Sequence, residues 1–196
     1  PLWSRGLGDV YKRQDLLRHA SVGAPPDIHN PLGQAWSLTA LSPRALRDSG
    51  YAAFLAMLRA SLAQAGGVRI DHILGLARLW LVPDGAGAAH GAYLRYPLRA
   101  LLRLTALEAW RRQALVIGEN LGTVPDGFDD ALRDHGLLGM NVLWFMRGPP
   151  SPRAPAAFQA PAAWPASAAA MTTTHDLPTL RGWWQGHDLA WRCLLY

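Results

Sequence analysis

The chain has 196 residues, half of them apolar, and a formal net charge of +5. That apolar content can bury a core and excludes a wholly disordered chain, and the length suits one domain or slightly more. A single cysteine, Cys193, excludes an internal disulfide framework and a zinc ribbon, and no apolar run reaches the roughly eighteen residues of a membrane span.

The arginines are scattered singly or in pairs such as Arg111 and Arg112, as on solvated helix faces, rather than clustered into a phosphate-binding surface. We therefore expect a soluble, cytoplasmic protein with neither a nucleic-acid nor a membrane partner. Residues 1–14 hold the only lysine, Lys12, whereas the rest relies on arginine and histidine for its cations. With the lone cysteine in 193–196, this composition break leads us to expect foreign sequence at both ends and native sequence over 15–192.

Residues 21–43 carry prolines, glycines and Asn30 without sustained periodicity, which predicts a long ordered loop. Ser42-Pro43 then opens a predicted helix with Leu46, Tyr51, Phe54, Leu55, Leu58 and Leu62 at helical spacing, ended by Gly66-Gly67. A short strand is expected at Val68–Asp71 and a strand-like apolar run at Leu76–Val82. A Gly/Ala-rich loop follows, then a helix over Pro97–Arg112 and a strand at Leu115–Ile117. Val124-Pro125-Asp126 leads into a helix through Leu132, and Met140–Phe145 reads as a strand. Residues 148–170, rich in Pro, Ala, Ser and Gly, predict a loop or insertion before a last strand at Met171–Thr174.

Strands separated by helices imply an α/β fold with parallel pairing, either a (β/α)8 barrel or a doubly wound sheet. Asp71, Glu119 and Asp176 each follow a short apolar segment, as groups at the C-terminal mouth of barrel strands do. The count is about four strands, half a barrel.

In Arg69-Ile70-Asp71-His72, strand alternation sends Arg69 and Asp71 to one side. An arginine beside a carboxylate favours the ionised form that a nucleophile needs; a buried structural Arg–Asp pair reads equally well. Glu119 lies between Gly118 and Gly122, which let backbone approach a ligand, and a glutamate in such a setting suits a general acid that later becomes a base. The alternative is a solvent-facing helix cap. Thr172-Thr173-Thr174-His175-Asp176 adds an acid with an imidazole and hydroxyls, suited to gripping sugar hydroxyls. No closely spaced histidine pair argues for a metal, and no phosphate-cradling glycine pattern or Gly-x-Ser-x-Gly elbow is present. Paired carboxylates with many tryptophans fit carbohydrate chemistry.

The segments GAPPD…NPLGQAW, VRIDHILGL, GAYLRYP, VIGENLGTVP and TTTHDLPTLRGWWQGHDL, in this order, closely resemble glycoside hydrolase family 77, the amylomaltases or 4-α-glucanotransferases. The resemblance runs from about Ser21 to Trp191. It implies part of a (β/α)8 TIM barrel, about strands 4 to 7 with their helices, with loop insertions and a covering loop at 21–43. It implies Asp71 as nucleophile, Glu119 as acid/base and Asp176 as a third catalytic carboxylate. Arg69, His72, His175, Gln34, Trp36 and Asp27 take substrate-binding positions for α-1,4-glucans and maltooligosaccharides. No cofactor or metal is implied, because the enzyme itself carries the glycosyl group. Ile28-His29, where an aromatic pair is usual, and Asn120, where an aspartate is usual, depart from the family pattern. Family members are several times longer, so the chain is expected to be an internal fragment, inactive alone. An amylase-type hydrolase and a non-catalytic glucan-binding fragment are the alternatives.

Overall fold

A computed structural model describes residues 15–27, 30–149, 156–175, 177–187 and 189. Both terminal segments read above as foreign, and Ile28, His29 and Asp176, lie outside the described residues. The chain forms two compact units. One comprises residues up to Val68 together with His72–Leu115, and the other joins Arg69–Asp71 to Val116 and beyond.

The first unit is built on a four-stranded antiparallel sheet in the order β2-β1-β4-β5: β1 is Ala20–Ala24, β2 Gln34–Leu38, β4 Arg78–Pro83 and β5 Ala92–Arg95. This corrects the all-parallel reading and turns much of the expected 21–43 loop into a hairpin. β1 is short and rich in small residues, and four of the five β2 residues are exposed, so neither shows the alternation of a half-buried strand. The β1–β2 register slips between Val22 and Gly23. There the two backbones come so close that a Cβ on Gly23 would lie 1.9 Å from the Gln34 carbonyl oxygen.

The expected long helix is two helices, α1 (Pro43–Asp48) and α2 (Ala52–Leu62). Ser42 caps α1 by accepting from the Ala45 N–H, and the break falls at Gly50 (φ +60°) and Tyr51 (φ +64°), whose left-handed backbone no helix continues. α3 (Leu98–Arg112) packs on α2 and on the 3-10 turn Ile73–Leu76. Leu46, Phe54, Leu58, Leu62, Ile73, Leu101 and Leu102 form the buried centre of this unit. The strand-like run at Leu76–Val82 thus divides into that turn and β4.

The second unit is parallel. β6 (Leu115–Gly118) runs alongside the approach to β7 (Gly139–Val142): Leu138 N–H donates to Val116 O and Gly118 N–H to Leu138 O. β7 then pairs in register with β8 (Ala168–Met171), from Gly139 opposite Ala168 to Val142 opposite Met171. Between β6 and β7, α4 (Phe128–Asp134) buries Phe128 and Leu132, and Val116, Met140 and Val142 are buried in the same unit. The expected strand Met140–Phe145 ends at Val142 and continues as a 3-10 turn, and the last strand begins at Ala168, three residues before its expected start.

Candidate active site

β3 (Gly67–Ile70) and β6 place the two acids of interest. Asp71 is the first residue after β3 and Glu119 the first after β6, and the Glu119 N–H donates to the Ile70 carbonyl at 2.9 Å. This bond fixes the two strand ends side by side. Residue numbers rise together across it, so both acids leave from the same end of their strands, where a parallel sheet presents its functional groups.

Arg69 Nη1 lies 2.6 Å from Asp71 Oδ1. The Asp71 side chain is 66% exposed and that of Arg69 33%, which rules out the buried structural pair and leaves the carboxyl group open to an incoming ligand. Glu119 Oε1 accepts from the Leu121 N–H at 2.8 Å. This local bond orients the side chain. Of the bracketing glycines, Gly122 serves the turn: its φ is +100° and nothing stands near its Cβ position.

Asn120 stands out in the sequence only for a missing charge. In the structure it is bonded at both ends of its amide: Nδ2 donates to Asp129 Oδ1 at 2.8 Å, and Oδ1 accepts from the Met140 N–H at 2.8 Å.

His175 lies in a turn four residues beyond the end of β8. The Thr173 hydroxyl donates to the Pro178 carbonyl at 2.8 Å, with the Thr174 and Leu177 carbonyls also in reach. It is therefore spent on shaping the turn rather than held out for a sugar. The same unit contains an aromatic cluster that sequence reading missed: Trp144 and Trp183 have ring centroids 5.0 Å apart, Phe158 meets Trp183 edge-on at 5.4 Å, and Arg147 lies over Phe158 at 4.0 Å. The aromatic pairs Trp144-Phe145 and Trp183-Trp184 are its main sequence signal.

In the first unit, Trp36 Nε1–H donates to Gln34 Oε1 at 2.8 Å, and the Trp36 ring meets His72 edge-on with centroids 5.2 Å apart. His72 has φ +45°, a left-handed conformation uncommon for a residue with a Cβ. Asp27 Oδ1 accepts from the Asn30 N–H at 2.6 Å. Among the described residues no group of three His, Cys, Asp or Glu side chains is placed to hold a metal ion, and no helix is long and apolar enough to cross a membrane.

Comparison with known proteins identifies the family. The family model described as 4-alpha-glucanotransferase matches residues 4–194. A 4-alpha-glucanotransferase of Haemophilus influenzae is 42% identical over 187 residues, covering 95% of this chain and 26% of that protein. One from Mycobacterium bovis is 43% identical over 189 residues, with 94% and 25% covered. The crystal structure of amylomaltase from Corynebacterium glutamicum superposes with a TM-score of 0.85 at 39% identity, covering 97% of this chain and 27% of that one. Amylomaltase from Streptococcus agalactiae in complex with acarbose shares the fold, with a TM-score of 0.71 at 22% identity over 85% of this chain and 33% of its own. The chain thus spans about a quarter of the length of these two curated relatives and has the α/β fold seen in amylomaltase. On these grounds the chain belongs to glycoside hydrolase family 77, the 4-alpha-glucanotransferases.

Proposed function

We propose that these residues form the catalytic part of a longer 4-α-glucanotransferase, supplying about strands 4 to 7 of a (β/α)8 barrel. The enzyme would work in the cytoplasm on α-1,4-glucans and maltooligosaccharides. The single observation that carries the reading is the Glu119 N–H to Ile70 O bond, which sets the residues after two neighbouring parallel strands next to each other. Retaining enzymes need two carboxyls about 5 to 5.5 Å apart, and adjacent strand ends are the natural way to supply them.

In this mechanism Asp71, held in place by Arg69, attacks the anomeric carbon. The glycosidic C–O bond breaks, and Glu119 gives its proton to the departing oxygen. The released glucan leaves with a free 4-hydroxyl, and the glycosyl group is held as an ester on Asp71. Glu119, now a carboxylate, takes the proton from an acceptor's 4-hydroxyl as that oxygen attacks the same carbon, which frees Asp71 and restores the α-1,4 bond. Asp176 serves as the third carboxylate, binding and distorting the sugar at the cleavage point. Arg69, His72, His175, Gln34, Trp36 and Asp27 hold the glucan, and the segment 21–43 covers the site to favour sugar over water as acceptor. No metal or organic cofactor takes part.

The test is to incubate the full-length protein carrying this segment with maltotriose and to follow products by size. Glucose together with a ladder of longer oligomers, abolished in Glu119→Gln, is the expected outcome. Glucose and maltose alone would replace transferase by hydrolase, and an active Glu119→Gln would remove the acid/base assignment.

A further inference from the structure

We infer that Asn120 is a positioning residue for Glu119, acting through a clamp whose far end is Asp129. The inference rests on the reading of Glu119 as acid/base. Three observations converge on it. The Asn120 amide is used at both ends, its Nδ2 donating to Asp129 Oδ1 in the first turn of α4 and its Oδ1 accepting from Met140 N–H in β7. The position facing it is a glycine packed tightly against the amide: a Cβ on Gly139 would lie 3.0 Å from Asn120 Nδ2 and 3.3 Å from Oδ1, so the amide fills the space against β7. The backbone N–H of Glu119 is held by Ile70 O and its carboxylate by Leu121 N–H. The peptide between Glu119 and Asn120 is thereby fixed from β3 on one side and from α4 and β7 on the other.

The clamp needs a donor and an acceptor on one planar group. Asparagine has both, whereas aspartate at the same place has only acceptors and would face the Asp129 carboxylate across a hydrogen-bond distance. Asp129 is exposed, opens α4, and accepts from the Asn120 amide. Its proposed influence on catalysis passes through that bond. An acid/base group must be held within a fraction of an ångström to transfer its proton, so a loosened clamp lowers the rate of the chemical step more than it weakens binding.

The experiment compares kcat and KM for maltotriose, per folded molecule, in the full-length protein and in N120A, N120D, D129N and N120D/D129N, with thermal melting measured on each and Glu119→Gln as control. We expect N120A and N120D to lose about tenfold in kcat with KM changed by less than about threefold. D129N keeps an acceptor for Asn120 and should stay close to wild type. The double variant reverses the polarity of the bond: the carboxylate introduced at position 120 still accepts from the Met140 N–H and now also accepts from the amide introduced at position 129. It should recover most of the lost kcat.

The inference is overturned if N120A keeps wild-type kcat, if D129N fails to rescue N120D, or if the whole loss is accounted for by unfolded protein. Inactivity of Glu119→Gln together with full activity of N120A would remove the clamp and leave the acid/base reading intact. Activity in Glu119→Gln would remove both.

Discussion

Arg59 and Glu108 meet in a two-point ion pair that ties α2 to α3: Nε donates to Oε2 at 2.9 Å and Nη2 to Oε1 at 2.7 Å. Arg111, one turn along α3, adds a third donor at 3.0 Å. The carboxylate is buried, whereas both guanidiniums reach solvent. Removing the acid therefore differs from removing either base. Glu108→Ala should destabilise the first unit by about 2 kcal/mol, the loss of charge-assisted bonds to a buried acceptor. Glu108→Leu should cost less, because it fills the space and lets both arginines turn to water. Chemical denaturation of the two variants beside wild type measures the difference, and equal midpoints would show that packing rather than charge holds the helices together.

The same pair makes acid stability readable. The Arg59 hydrogen bond, with charge from Arg59 and Arg111, holds the Glu108 carboxyl below the usual carboxylate range, against an opposing push from burial. A lowered value in the folded state means stability that is complete above the ordinary carboxylate value and lost as pH falls through the lowered one. Denaturation midpoints of wild type should fall on acidification through that window, and Glu108→Gln should fall less steeply. Parallel curves for the two would remove Glu108 as a source of acid sensitivity.

Tyr96 offers a test at the alkaline end. Its hydroxyl donates to the Leu41 carbonyl at 2.6 Å, and burial pushes the phenol up to about 12. The folded state thus favours the neutral phenol, and the stabilisation present below the ordinary value is lost as pH rises towards 12. Ultraviolet titration of wild type minus Tyr96→Phe should show a late phenolate. The variant should be less stable at neutral pH by about 1 kcal/mol, one buried hydrogen bond. A difference spectrum rising with the other tyrosines would show that Tyr96 is reached by water.

Gly23 tests the hairpin. Its absent Cβ is what allows β1 to lie against the Gln34 carbonyl, so Gly23→Ala should push β2 away from β1. Faster hydrogen exchange across Gln34–Leu38, with α3 amides unchanged, is the expected result. Unchanged protection in β2 would mean that the strand can shift without parting.

What can be read in the sequence is mostly what local pattern decides. α3 is expected over Pro97–Arg112 and spans Leu98–Arg112, because its apolar and arginine positions alternate at helical spacing over four turns. Asp71 and Glu119 follow β3 and β6 as expected, since a short apolar run ending in an acid is itself a strand-end signal. β8 is displaced because Ala168–Ala170 has little β-propensity and takes its place from pairing with β7. The β1–β2 hairpin escapes the sequence for a related reason: β2 is an edge strand, mostly exposed, and its existence depends on β1 and in turn on β4, far along the chain. The Asn120 clamp is beyond reach because its partners, Asp129 and Met140, are brought to it only by α4 and β7.

The second unit borrows three residues, Arg69–Asp71, from a place in the chain separated from the rest of it by the whole of 72–115. For Ile70 to accept from Glu119, that stretch must close as a loop, at an entropic cost that shrinks once it has folded with the residues before Arg69 into the first unit. The consequence is an order of events: we expect the first unit to fold first and the two acids to come together late. Pulse-labelled hydrogen exchange during refolding should protect α3 amides before the amide of Glu119. Acids that meet only at the end of folding make their own pairing the mark of completion, so late protection of the Glu119 amide would report that the last step is done.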